Sequence, residues 1–188
     1  MIYTPNPGSE SRWTRPTDAC PHPERWTSDD DDSTEYEVSF LVAAFIRALQ
    51  PDYVIETGTA WGQTTQRIGH ALAEAGQGHL ISLEPDPDRV QYSKTRCTGL
   101  PVTIVQCESL EFTPSQQIDF AWFDSLIHLR APEFRYFREW MHNRTVVGFH
   151  DTGSQHDMKR HVDQLAHEGL IQPIYLPTPR GVCFARVL

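Results

Sequence analysis

Nowhere in its 188 residues does the chain carry an uninterrupted apolar run approaching the roughly 18 residues that a membrane helix needs, which excludes a helical membrane span. The opening MIYTPNPGSESRW lacks the basic start and apolar core of a secretory signal, so the cytoplasm is the expected compartment. The four cysteines, at 20, 97, 107 and 183, show no C-x-x-C spacing and no histidine pair stands ready to complete a finger. That excludes a disulfide framework and a structural zinc, and leaves reduced, mostly buried thiols. Basic residues are few, 16 against 25 acidic ones, for a net charge of −9, and no Lys/Arg run interleaves with aromatics. Phosphate backbones would be repelled, so nucleic acid is excluded as a general partner. What these absences allow is a soluble domain that meets a small molecule, with a homodimer as an assembly open to it.

What is present is an arm followed by a regular alternation. Residues 1–33 are rich in Pro, Ser, Thr and Asp and end in Asp29, Asp30, Asp31 and Asp32. The composition is that of a solvated tail, yet Tyr3, Trp13 and Trp26 are unusual in one and suggest a lid. From residue 34 to 188 the chain reads as one domain. A capping box in T-E-Y-E, Thr34 with Glu37, predicts a helix start, and Val38, Leu41, Val42, Phe45 and Leu49 follow at helical spacing up to Pro51. Then come YVIET (53–57), a helix over about 63–75, HLISLE (79–84), a helix over about 88–97, and VTIVQ (102–106). IDFAWF (118–123) and TVVGF (145–149) are further strands, and the helix between them carries Phe134, Phe137 and Met141 on one face.

Strands recurring with helices between them imply a parallel sheet covered on both faces, a doubly wound α/β fold of Rossmann-like type. LIQPIYL (170–176) and GVCFARVL (181–188) are joined by only PTPR, too short for a parallel crossover. Five parallel strands plus an antiparallel C-terminal hairpin are therefore expected, a mostly parallel seven-stranded sheet.

The stretch VIETGTAWGQTT (54–65) reads as a cofactor-cradling turn. Gly58 can take positive φ and admit a ligand to the backbone, Gly62 allows the helix to start close against the strand, and Thr64 falls in the first helical turn. Glu84 ends the second strand 22 residues after Gly62, where an acid can accept both ribose hydroxyls, of NAD as well as of other nucleosides. Glu56 decides against NAD: it puts negative charge beside the turn that a pyrophosphate would use, and G-T-A-W-G is not G-x-G-x-x-G. S-adenosylmethionine (SAM), cationic and phosphate-free, fits instead.

At these residues the sequence resembles the class I SAM-dependent methyltransferases, most closely the small catechol- and caffeoyl-type metal-dependent O-methyltransferases. ETGTAWGQT is similar to their E-x-G-x-x-x-G-x-S/T turn, which implies Glu56 and Gly58 near the methionine end. ISLEPDPDRV resembles the second-strand motif that sets Glu84 on the ribose, and VTIVQCESLE the third strand, whose exit implies Glu108, Ser109 and Leu110 around the adenine. The terminal hairpin matches too. The implied activity is methyl transfer from SAM to a small-molecule acceptor, at a hydroxyl oxygen. Trp61, inside the turn, packs either on the methionine chain or on the helix beneath.

Asp124 ends the fourth strand and Asp151 the fifth, so both carboxylates share the cofactor's edge of the sheet. Convergent acids suit Mg²⁺ or another divalent cation, which would lower the pKa of a bound hydroxyl. In the resembling enzymes the corresponding aspartates ligate the metal, so Asp124, Asp151 and Thr152 are the implied ligands. The family's Asp-Asn reads Asp151-Thr152 here, and its lysine three residues past the fourth-strand aspartate is Ile127. His128 and His150 are the candidate substitutes, as ligand or as general base, with Asp124 beside them; a core histidine at 150 and a solvated one at 128 are the alternatives. Arg130 and Arg135 either hold an acidic substrate or solvate a helix face, and Asp157 either joins His156 in the site or caps a helix. A nicotinamide dehydrogenase and a non-catalytic SAM-binding subunit are the rival functions.

Overall fold

The computed structural model of the protein describes residues 20–29 and 33–188. Tyr3, Trp13 and Asp30 to Asp32, on which part of the arm's reading rests, lie outside the described residues. The elements run α1 (Tyr36–Leu49), β1 (Tyr53–Thr57), α2 (Gln63–Ala75), β2 (His79–Glu84), α3 (Pro87–Arg96), β3 (Val102–Gln106), β4 (Ile118–Phe123), α4 (Ile127–Phe137), β5 (Met141–His150), α5 (Met158–His167), β6 (Ile171–Leu176) and β7 (Val182–Val187). The seven strands form one sheet in the order β3-β2-β1-β4-β5-β7-β6. β1 to β5 are parallel, and β7 is antiparallel to both β5 and β6. The doubly wound sheet with its terminal hairpin is as the alternation implied. Strand order reverses between β1 and β4, so the crevice at their carboxyl ends is where such a sheet binds ligands.

Side chains of period two send alternate residues of the central strands into two cores. Val54, Phe120 and Trp122 pack with Val38, Val42, Ile46, Ile68 and Leu72 under α1 and α2. Ile55, Ala121, Phe123 and Phe149 pack with Phe134, Phe137, Met158 and Val162 under α4 and α5. Gly148 pairs across from Trp122, and a Cβ there would lie 2.5 Å from the indole, so the large side chain in β4 requires the missing one in β5. Pro173 sits in β6, the edge strand, where a lost N–H does not break a ladder. No described helix is long and apolar enough to cross a membrane.

Three local expectations are corrected. α1 begins at Tyr36 rather than Thr34, with no side-chain cap: the Thr34 hydroxyl goes to Asp124, and Glu37 accepts from the Thr27 backbone N–H at 3.0 Å. Tertiary partners displace the capping box. Met141 lies on β5, not on a helix face, because α4 stops at Phe137 and a 3₁₀ turn over Arg138–Trp140 leads straight into the strand. Asp157 occupies the N-cap position of α5 but makes no capping bond.

Candidate active site

The turn after β1 is built from left-handed backbone. Gly58 (φ 84°), Ala60 (φ 46°) and Gly62 (φ 76°) all lie in that region, which favours glycine at two of the three. A Cβ on Gly58 would sit 2.4 Å from the main-chain oxygen of Asp124, so the end of β4 rests directly on the turn. The neighbour of Gly62 is not the strand, as expected, but Ser93 of α3, 3.0 Å from where its Cβ would be. The turn is pinned from outside. Glu84 accepts the N–H of Ala60 at 2.8 Å and of Asp86 at 3.1 Å, the Ser93 hydroxyl donates to the Ala60 carbonyl, and Arg96 donates to the Trp61 carbonyl. The Trp61 ring meets Tyr92 edge-on, 5.4 Å between centroids.

Glu56 does not put a charge into the cleft. It is fully buried beneath the turn, where one carboxyl oxygen receives the hydroxyls of Thr65 and Ser82, both at 2.6 Å. Burial pushes its pKa up to about 8 against those two hydroxyls, with Asp124 and Glu84 pushing the same way. Near neutral pH it holds its proton, so the electrostatic case against a dinucleotide cannot rest on Glu56. Gln63, which the sequence did not single out, stands at the head of α2 and is buried. Its amide nitrogen donates to the Thr34 carbonyl at 3.0 Å, which fixes the flip, and its Oε1 is buried with no partner among the described residues.

Thr64 is buried in the first turn of α2, and Glu108 is exposed as the residue before a 3₁₀ turn over Ser109–Glu111. Ser109 donates to Glu133 at 2.5 Å. Glu133, on α4 and fully buried, also receives Thr57 at 2.8 Å and Ser125 at 2.7 Å, tying the exits of β1, β3 and β4 to one carboxyl whose pKa burial raises.

At the ends of β4 and β5 the expected acids do converge: Asp124, His150 and Asp151 each offer a ligand atom within 4.8 Å of the others. The space between them is taken by arginine. Arg130, buried, sets one Nη2 at 3.0 Å from Asp124 and 2.9 Å from Asp151, while Nε and Nη1 donate to the carbonyls of Ser125 and His150. Arg180 grips Asp151 from the other side through Nε at 2.7 Å and Nη2 at 3.1 Å. His150 spans Glu35 through Nε2 (2.6 Å) and Asp124 through Nδ1 (3.1 Å). Burial would push the imidazole pKa down, but Asp124, Asp151 and Glu35 outweigh it and raise it to about 9. Burial opposes ionisation of Asp124 and Asp151 too, and is beaten by His150 and Arg130, with Arg180 helping at Asp151, so both carboxyls stay below the usual range. Three carboxylates thus meet three cations. Asp151 holds this place in left-handed backbone, φ 61°, a strained conformation for a non-glycine residue.

Several expected roles therefore change. The metal set does not fit a divalent ion: an arginine N–H already occupies both aspartates, and both ring nitrogens of His150 are taken up by carboxylates. His150 is poorly arranged for the base's role, because both nitrogens face carboxylates, which raise its pKa. Thr152 is buried and donates its backbone N–H to the Gly181 carbonyl at 3.1 Å. His128 is exposed on the first turn of α4, outside the cluster. Arg130 is no solvated residue, whereas Arg135 is one, paired with Glu168 on the surface. Asp124, 12% exposed, is the cluster's most open carboxylate; it also accepts the Thr34 hydroxyl at 2.5 Å. Ser33, Thr34 and Glu35 are buried, Ser33 giving its carbonyl to Arg180 and Glu35 accepting the Arg180 N–H. Two cavities of about 360 and 400 Å³ open at the opposite edge of the sheet, by Gln50–Asp52 and by Gly76–Gly78, and neither holds a buried acid. The buried acids gather instead at the carboxyl edge, under the segment that carries Thr34.

A family model described as a methyltransferase domain matches residues 55–152, more than half of the chain. No curated protein matches it. Among solved structures, a SAH-bound methyltransferase of Podospora anserina, PaMTH1, superposes with a TM-score of 0.73 at 13% identity, covering 88% of this chain and 84% of that one. The O-methyltransferase TomG of Streptomyces achromogenes, involved in tomaymycin synthesis and in complex with SAM, gives 0.69 at 17%, covering 84% and 82%. An O-methyltransferase of Bacillus cereus in complex with SAH gives 0.68 at 14%, covering 84% and 83%.

Proposed function

The chain belongs to the methyltransferase-domain family, and from that premise we propose that it transfers the methyl group of SAM to a hydroxyl oxygen of a small-molecule acceptor. The observation that carries the choice of donor is Gln63. A buried acceptor atom without a partner, at the head of a helix and held in place from its amide side, calls for a ligand that brings a donor. The α-ammonium of SAM brings three; a pyrophosphate brings none and would meet the oxygen with its own. SAM or SAH is bound in the structurally similar enzymes, which agrees.

In this reading the methionine end lies along Gly58 to Gly62. Glu84, each of whose oxygens accepts one backbone N–H, keeps lone pairs for the ribose hydroxyls. The adenine lies beside Glu108, Ser109 and Leu110. Methyl transfer needs the acceptor oxygen in line with the sulfonium and relieved of its proton. Asp124 accepts the hydrogen bond of the acceptor's hydroxyl in place of Thr34, aligns its oxygen, and receives the proton only as the O–C bond forms and the S–C bond of the sulfonium breaks, when the hydroxyl has become strongly acidic. His150, Arg130 and the buried segment 33–35 hold Asp124 ionised and oriented.

Isothermal titration with SAM, with NADH as control, tests the donor, and mass spectrometry of mixtures with phenols, catechols and aliphatic alcohols tests the acceptor. SAM binding with a methylated oxygen product supports the reading. NADH binding in place of SAM sinks it, and SAM binding without a product across the panel points to the non-catalytic alternative.

A further inference from the structure

Arg130 stands where a metal would have to stand. Its Nη2 already joins Asp124 Oδ1 and Asp151 Oδ2, at 3.0 and 2.9 Å, so a divalent ion shared by the two acids would have to displace the guanidinium that lies between them. The guanidinium cannot step aside cheaply. Its remaining N–H groups satisfy the carbonyls of Ser125 at 2.8 Å and His150 at 2.6 Å, which are the exits of β4 and β5 themselves, and the residue is only 3% exposed. Withdrawing it would strand main-chain acceptors and a buried charge together. The other candidate ligand, His150, spends both ring nitrogens on Asp124 and Glu35. Asp151 is further taken up by the two-bond grip of Arg180.

We propose that Arg130 is a built-in cation that replaces a divalent metal at this site, as a positioning residue that fixes Asp124 and Asp151 relative to each other and makes the protein's chemistry metal-independent. An arginine fits this role because its planar fork satisfies two carboxylates and two carbonyls at once and carries its charge at every physiological pH. The inference concerns only the cluster, and stands whether or not SAM is the donor.

The test is Mn²⁺ binding to the full chain, followed by the electron paramagnetic resonance of the free ion, with no SAM present. Wild-type protein is expected to bind no Mn²⁺ below about 1 mM, and its SAM affinity to be the same in EDTA and in Mg²⁺. Arg130→Met, which empties the space and leaves both acids, is expected to gain at least tenfold in Mn²⁺ affinity, and Arg130→Lys to gain less. Micromolar Mn²⁺ binding by the wild type that is lost in Asp151→Asn would overturn the proposal. The wild-type titration decides even where the methionine variant does not fold. A folded Arg130→Met that binds no more Mn²⁺ than wild type would equally overturn it, since the guanidinium would then not be what keeps a cation out.

Discussion

Binding of SAM should expel a proton from Glu56, and the number can be worked from its surroundings. The carboxyl is fully buried with a pKa pushed up to about 8. At pH 7 a group with that pKa is about 90% protonated in the free protein. SAM carries an ammonium, a sulfonium and a carboxylate, one net positive charge, delivered to the turn that lies over Glu56. One unit charge about 6 Å away at an effective dielectric of about 20 is worth roughly 2.8 kcal/mol, or about two pKa units. Glu56 would then titrate near about 6 in the complex, leaving it about 10% protonated at pH 7, so about 0.8 proton is released per SAM bound. Calorimetric titration in phosphate and in Tris measures this directly, since the observed enthalpy varies with the buffer's ionisation enthalpy in proportion to the protons released. Glu56→Gln should bind SAM with no such dependence and more weakly. Equal enthalpies in both buffers for the wild type, or an undiminished dependence in Glu56→Gln, would refute the placement of SAM's charge over this carboxyl.

His150 sets a second pH dependence: a folded pKa of about 9 against about 6.5 unfolded contributes about 3 kcal/mol that is whole below pH 6.5 and lost as pH rises through 9. Glu56, raised from 4.5 to about 8, acts in the same sense over the lower window, so urea midpoints should fall steadily from pH 6 to 9.5, and a flat profile would contradict both. Gly58→Ala puts a Cβ 2.4 Å from the Asp124 carbonyl oxygen at φ 84°, which should cost about 1–2 kcal/mol in backbone strain alone and lower SAM affinity more than tenfold by calorimetry. Gln50→Gly acts far from the site: Gln50 ends α1 in left-handed backbone, φ 49°, and is exposed, so glycine there should raise stability by about 0.5–1 kcal/mol with SAM binding unaltered.

The sheet was legible because its signal is local: each strand is a short apolar run, and PTPR is too short to allow anything but a hairpin. Where the reading slipped, a distant partner had overruled a local pattern. Thr34 and Glu37 form a sound capping box on paper, but Asp124 and Thr27 compete for the same atoms and win. β5 was read from Thr145, with Met141 on the preceding helix; the strand starts at Met141 instead, where Met141 pairs with Ile118 in a register that shifts before Phe120. Arg130 differs in no way from Arg135 when only helical spacing is known, yet one is buried between two acids and the other is on the surface. Arg180 and Glu35, 145 residues apart, share no pattern that a linear reading could join.

The same distance explains why the acids looked like a metal site. Two aspartates at neighbouring strand ends are an unstable arrangement without positive charge, and a sequence motif records the negative half of that arrangement alone. Here the positive half comes from three separate places: Arg130 on α4, Arg180 before β7 and His150 at the end of β5. Glu35, from the segment ahead of α1, then balances the third cation. Since His150 bridges Glu35 to Asp124, the fold of that segment and the ionisation of the open carboxylate are linked through one imidazole ring. Removing Glu35 would take one of the three carboxylates that raise His150 and thereby ease its deprotonation, and with it would go part of what keeps Asp124 ionised. Segment 33–35 thus belongs to the electrostatics of the charged cluster.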